Sequence, residues 1–239
     1  QQLAERTKEE KQAKSVSVIV MNPQNGELMA MVNAPEYDLN NPYQLNYNLT
    51  DTQLSMPKMD LLNNMWRNFC INDTYEPGSI FKMVTATAAL ETGAASLSDS
   101  FTCGGYAIVA DRRIRCHKTT GHGTQTFTQT VMNSCNPAFI EWGRRVGVDN
   151  FYKYMGKLGL LEKTGIDIAG EASAIVHKQE NVGEVELATM SFGQSFQITP
   201  MQMLRAAAAI VNGGKLVTPH FGVKLSDYLG NTVQEFAYD

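Results

Sequence analysis

At 239 residues, with 43% apolar and 18% charged side chains, the chain can bury roughly 70–75% of its unfolded surface, which excludes a disordered, collagenous or coiled-coil protein. The 20 Lys and Arg against 24 Asp and Glu leave a net charge of −4 with no basic run beyond two residues, so nucleic acid is not an expected partner. The longest apolar run, residues 206–211, is far short of the roughly 20 residues a membrane-spanning helix needs.

The first residue is Gln rather than Met, so the sequence reads as internal to a longer product, with any export signal or membrane anchor upstream. Residues 1–14 are nearly all polar and read as a solvated linker or helix end, with the domain proper over 15–239. Two β-branched and apolar stretches, 15–21 and 27–32, flank the turn Asn22-Pro23-Gln24-Asn25-Gly26 and predict a β-hairpin. Residues 33–72 turn to Asn, Tyr, Pro and Asp, a long connection with one short helix near 59–68. After Glu76-Pro77-Gly78, a helix is predicted over 79–92, with Gly93 just past its end. Residues 106–109 and 113–116 around Ala110-Asp111-Arg112 predict a second hairpin, its arginines forming a solvated edge. Helical patches over 127–133 and 138–146 are interrupted by Ser134-Cys135-Asn136-Pro137, where the proline disfavours helix before it. Further helices are predicted over 151–158, 185–190 and 200–211, then a strand over 215–225 and a possible strand over 232–238.

Ser79-Ile80-Phe81-Lys82 sets a hydroxyl and an ammonium three residues apart, on one face of a helix start. The free N–H groups of that start favour developing negative charge, and burial would lower the Lys pKa until the amine accepts the Ser proton. The spacing alone is weak. With 12 Ser and 12 Lys, random placement yields about 0.6 such matches, and Ser55-Met56-Pro57-Lys58 is a second one, in a loop. Ser134-Cys135-Asn136 sets a hydroxyl and a carboxamide on one side of a turn, able to relay a proton and hold a substrate amide, or merely to cap the turn.

Together these segments resemble the transpeptidase domain of class B penicillin-binding proteins. The resemblance rests on Tyr75-Glu76-Pro77-Gly78-Ser79-Ile80-Phe81-Lys82, Gly121-His122-Gly123-Thr124-Gln125-Thr126, Asn133-Ser134-Cys135-Asn136-Pro137 and Lys163-Thr164-Gly165-Ile166-Asp167. It continues through residues 186–194, Thr199-Pro200 and Asn212-Gly213-Gly214-Lys215. It implies an α/β (α+β) fold with a mostly antiparallel sheet flanked by helices. It also implies a peptidoglycan D,D-transpeptidase acting on D-Ala-D-Ala stem peptides and inhibited by β-lactams. Ser79 would be the nucleophile, Lys82 its base, and Ser134 and Asn136 the partners that relay the proton and grip the substrate. The setting implied is the extracytoplasmic face of a bacterial membrane, reached through an upstream anchor, among other cell-wall synthesis proteins. In this family a Lys-Thr-Gly strand lines the cleft; Lys163-Thr164-Gly165 comes too early for it and matches a separate loop element, so that strand is expected beyond Asp239. A serine β-lactamase or a non-catalytic β-lactam sensor on the same fold are the alternatives, and no carboxylate motif suggests a deacylating base.

The cysteines suggest a second site. Cys103, Cys116, His122 and Cys135 are spaced C-x12-C-x5-H-x12-C, a ligand set suited to a structural zinc. A Cys103–Cys116 disulfide or three buried free thiols are the other readings. His122 is preferred over His117, which adjoins Cys116 and on a strand would face away, and Cys135 is expected to point away from the cleft that Ser134 and Asn136 face. Some class B proteins of Gram-positive bacteria look similar here. Cys70 reads as a buried hydrophobe.

Overall fold

The computed structural model describes residues 1–238. The expected N-terminal linker is largely helical: α1 (Gln2–Glu10) is built from good helix formers and seats Ala4 against the following hairpin. Its Arg6–Glu10 pair is solvent-exposed and adds little. The hairpin of β1 (Val16–Met21) and β2 (Leu28–Ala34) is antiparallel, with Val18 opposite Val32 and a bulge between Val20 and Met21. The long connection carries α2 (Lys58–Trp66) and α3 (Phe69–Asn72).

The helix predicted from residue 79 begins as a 3-10 turn, Gly78–Phe81, and continues as α4 (Lys82–Glu91), with Gly93 at φ +69° just past its end. Then come β3 (Ser100–Cys103), β4 (Tyr106–Val109), β5 (Arg112–Arg115) and β6 (Gly123–Thr126). β3 pairs with β6 and β4 with β5, so the second predicted hairpin sits inside a wider one. α5 (Phe127–Met132) opens with a capping box of Thr126 and Gln129. α6 (Asn136–Lys157) covers two predicted helices, with non-helical backbone at Gly147 between them. α7 (Glu184–Met190) and α8 (Pro200–Val211) follow, the second capped by Thr199 and Gln202.

The strand predicted over 215–225 does not form as such; β7 (Lys224–Ser226) pairs with β8 (Thr232–Glu235). The residues before it spend their backbone groups elsewhere: Arg205 Nε donates to the Val217 carbonyl at 2.9 Å, Lys215 N donates to Asn212 Oδ1, and Pro219 has no N–H to give. Only His220 joins the first hairpin, bridging Glu27. The antiparallel strands therefore stand as four two-stranded ladders flanked by helices, an α+β arrangement.

The main core lies around α4, with Phe81, Val84 and Ala88 packed among Phe139 and Met155 of α6, Met190 of α7 and Ala206 of α8. Trp142 is fully buried between Phe101 and Phe127, its Nε1 donating to Thr130 Oγ1 at 3.1 Å. A smaller cluster of Leu28, Cys70, Ile71, Ile166 and Met201 joins the hairpin to α3 and α8.

Candidate active site and cysteine cluster

The turn carrying Ser79 is clamped from below. Phe81 is completely buried, 4.7 Å from Phe196 and 6.0 Å from Phe151 between ring centroids, which alone stabilises the turn by about 2–3 kcal/mol. Gly78 N donates to the Gly193 carbonyl at 2.8 Å, and Tyr75 exchanges both backbone bonds with Ile198. Ser195 N donates to Glu76 Oε1 at 2.8 Å. Gly193 has φ +84°, and a Cβ there would lie 2.1 Å from the Gly78 carbonyl oxygen, so only glycine permits this approach. Residues 193–198 thus form a strap under the turn, while Ser79 itself is exposed above it.

One turn on, Lys82 is buried, only 4% exposed, and its Nζ is the centre of the site. It donates to Ser79 Oγ at 3.2 Å, Ser134 Oγ at 2.8 Å, the Ser134 carbonyl at 2.7 Å and Asn136 Oδ1 at 2.6 Å. The Phe139 ring lies 5.4 Å from the same nitrogen. Burial pulls the Lys82 pKa down to about 8, against an opposing pull from Cys135 and Cys116. Ser134 is held at φ +47°, an uncommon conformation for a side-chain-bearing residue, by Ser134 N on the Val131 carbonyl and Cys135 N on the Thr130 carbonyl. Asn136 opens α6, and its Nδ2 donates to the Arg115 carbonyl at 3.4 Å, tying the β4–β5 hairpin to the site. Among the described residues no Asp or Glu side chain hydrogen-bonds to Ser79, Lys82, Ser134 or Asn136.

Behind the same turn, Cys103 ends β3 opposite Gly123, Cys116 follows β5, His122 sits between two glycines, and Cys135 precedes α6. Their ligand atoms all lie within 4.8 Å of one another; the three thiols are free and buried and the imidazole is half-buried. His122 Nδ1 is 3.6 Å from Cys116 Sγ. His117 stays outside the group, its Nδ1 3.9 Å from that sulfur. Burial pushes the Cys135 thiol up to about 12. Burial would raise the Cys103 thiol, but the backbone N–H groups of His122 and Gly105 together with the Cys135 and Cys116 side chains lower it, and Gly105 N donates to its sulfur at 3.4 Å. Three soft sulfurs and an imidazole nitrogen could hold a metal ion and fit zinc, whose tetrahedral sulfur–sulfur edges are about 3.8 Å. Cys70 is remote from them, buried beside Asn33, its thiol pushed up to about 11 by burial.

A sequence model of the penicillin binding protein transpeptidase domain matches residues 16–236. The chain belongs to this family. It is 41% identical over 210 residues, 87% of the chain and 30% of the relative, to stage V sporulation protein D of Bacillus subtilis (strain 168). The structure of penicillin binding protein 3 from Mycobacterium tuberculosis complexed with aztreonam superposes with a TM-score of 0.83 at 25% identity, covering all of this chain and 50% of that one. A complex between penicillin-binding protein PBP2 and MreC from Helicobacter pylori aligns with TM-score 0.73 at 28% identity, covering 86% and 39%. The chain thus spans about a third of the length of the curated relative.

In this transpeptidase domain the two other motif matches lie apart. Ser55 Oγ donates to the Thr52 carbonyl and does not meet Lys58. Thr164 N and Oγ1 donate to Glu171, which closes Lys163-Thr164-Gly165 into a loop beside the small core of Leu28 and Ile71. The strap at 193–198 and the Arg115 carbonyl were not legible as site elements; only the Gly193 and Gly78 glycines hinted at a close approach, with nothing to pair them.

Proposed function

We propose that this domain is a serine D,D-transpeptidase that forms an acyl-enzyme with peptides ending in D-Ala-D-Ala and transfers the acyl group to a neighbouring peptide amine. The observation that carries the reading is the convergence of Ser79 Oγ, Ser134 Oγ and Asn136 Oδ1 on one buried amine. With a pKa of about 8, roughly one Lys82 in ten is neutral at pH 7, against roughly one in three thousand at the ordinary lysine value of 10.5. The neutral amine takes the Ser79 proton as Oγ attacks the carbonyl carbon between the two D-Ala residues. The proton passes from Lys82 through Ser134 Oγ to the departing amine as the C–N bond breaks, leaving an ester on Ser79. The acceptor amine reverses these transfers. Asn136 Nδ2, beside the Arg115 carbonyl, is positioned to hold a substrate amide. β-Lactams would acylate Ser79 in the same way, and the missing carboxylate contact argues against rapid deacylation.

The cysteine group is read as a structural zinc site. A bound zinc would supply a cross-link between β3, the segment after β5 and the start of α6. Its role is scaffolding: Cys135 separates Ser134 from Asn136, so fixing Cys135 fixes the turn that presents both to Lys82. By analogy with its relatives the domain works on peptidoglycan outside the cell membrane, with other cell-wall synthesis proteins; among the described residues no helix is long and apolar enough to cross a membrane.

The test is adduct mapping. Fluorescent penicillin added to the intact protein, followed by peptide mass spectrometry, should find a single adduct on Ser79; an adduct on Ser55 or Ser134 would refute the assignment. Metal analysis of freshly purified protein should find about one zinc, and less than about a tenth of an equivalent would remove the metal site.

A further inference from the structure

The chain has eight arginines, and their pairing divides them sharply. Arg6, Arg67, Arg144, Arg145 and Arg205 each form an ion pair. Among the described residues Arg112, Arg113 and Arg115 form none, and all three are exposed on β5. Lys118, just beyond, is exposed too. The three arginines without an ion pair thus all lie on one hairpin of a chain whose net charge is −4.

Strand alternation sorts that hairpin into two faces. Ala107, Val109 and Ile114 pack against the main core. The register pairs Tyr106 with Arg115 and Ile108 with Arg113, so these four share the outer face. Ile108 is 62% exposed, and the Arg113 guanidinium lies 3.8 Å from the centre of the Tyr106 ring. Stacking on Tyr106 holds that guanidinium in place and leaves its N–H edge free for a planar anion. The hairpin is also continuous with the site, because the Arg115 carbonyl accepts from Asn136 Nδ2 and Asn136 Oδ1 accepts from Lys82.

We propose that the outer face of β4–β5 is a substrate-selecting rim, on which Arg113 and Arg115 bind a carboxylate of the extended peptide presented to Ser79, while Tyr106 and Ile108 cover its apolar atoms. The rim makes the domain prefer peptides with a free carboxylate over the same peptides amidated. This rests on the acyl-transfer reading of the site and adds to it a selection rule. Charge complementarity carries the choice of occupant: a carboxylate matches the fork of a guanidinium, and Asn136, the residue read as holding a substrate amide, touches the Arg115 carbonyl of the same hairpin.

The experiment uses the intact protein and two pentapeptides ending in D-Ala-D-Ala, identical except that the residue before the D-Ala pair and its predecessor carry free carboxylates in one and primary amides in the other. Release of D-Ala gives kcat/KM for each, and penicillin labelling of Ser79 is run in parallel. The wild type should prefer the acid peptide by about five- to tenfold. In the Arg113→Gln, Arg115→Gln double variant that ratio should fall to about one, and the Arg113→Lys, Arg115→Lys variant should keep part of it. A merely structural role would slow both peptides and leave the ratio intact, which would overturn the proposal, as would a wild-type ratio of one. An unchanged ratio together with lost binding to phosphatidylglycerol vesicles would give the hairpin to a lipid surface instead. Failure of penicillin to label Ser79 would refute the acyl-transfer reading itself, an outcome distinct from failure of the rim.

Discussion

Two clusters meet back to back at residues 134–136, and their chemistry is opposite. On one side, oxygens of Ser79, Ser134 and Asn136 gather round the buried amine of Lys82, whose pKa burial lowers to about 8 against an opposing pull from Cys135 and Cys116. On the other, three thiols and an imidazole crowd within 4.8 Å, and burial pushes Cys135 up to about 12. The first arrangement sets proton-carrying groups already in contact, as the proposed relay requires; the second is a set of donors suited to a cation. A single dipeptide step separates them, because Ser134 at φ +47° turns the chain so that Cys135 lies behind the residues beside it. One strained residue lets the proposed proton relay and the proposed metal cross-link share three positions.

The contrast can be broken from either side. The largest effect belongs to Ser79→Ala, which should abolish penicillin acylation on gel and by mass spectrometry while leaving the melting temperature within a few degrees of wild type, since Ser79 is exposed. Lys82→Met keeps the buried volume and removes the base. It should slow acylation by about a thousandfold, measured by stopped-flow with a chromogenic cephalosporin. On the other face, Cys135→Ser or chelation should act through the scaffold. The expected result is a melting temperature lower by roughly 5–10 °C in calorimetry and acylation slower by about tenfold, with Ser79 still the labelled residue. Stability unchanged by both treatments would confine that cluster to packing. Gly193→Ala should cost least: about 1–3 kcal/mol in denaturant melts, with acylation slowed several-fold as the strap shifts the Ser79 turn.

The two clusters were legible in the sequence to different depths, and the reason is sequence distance. Ser79 and Lys82 are one helical turn apart and Ser134 and Asn136 two residues apart, so local geometry almost forces each pair onto one side. The helices over α4, α5 and α8 were readable for the same reason, from apolar spacing and from the Pro and Gly residues near their ends. The cysteines were readable as a candidate metal site from their number and spacing, while the pairing of β3 with β6 that brings Cys103 beside His122 was not. The strap was hidden but for its glycines: Glu76 and Ser195 are 119 residues apart, and neither carries a local signature of the bond between them. The misread strand at 215–225 has a similar origin, since its apolar, β-branched composition says nothing of the Arg205 side chain that takes the Val217 carbonyl. The polar N-terminus, legible only as a linker or helix end, forms α1. Its composition is as good for a helix as for a linker, and contact with the first hairpin decides between them.

The central claim is that burial lowers the Lys82 pKa far enough for its neutral form to activate Ser79, and the pH dependence of acylation tests it most directly. Only neutral Lys82 accepts the Ser79 proton, and its lowered pKa means the neutral form accumulates as pH rises through about 8. With an uncharged active-site acylating reagent that has no titratable group between pH 6 and 10, the second-order rate constant should rise about tenfold per pH unit from 6 to 7.5 and level off above 8.5. A rate that is flat across this range, or still climbing at pH 10 as an unperturbed lysine would require, would contradict the account.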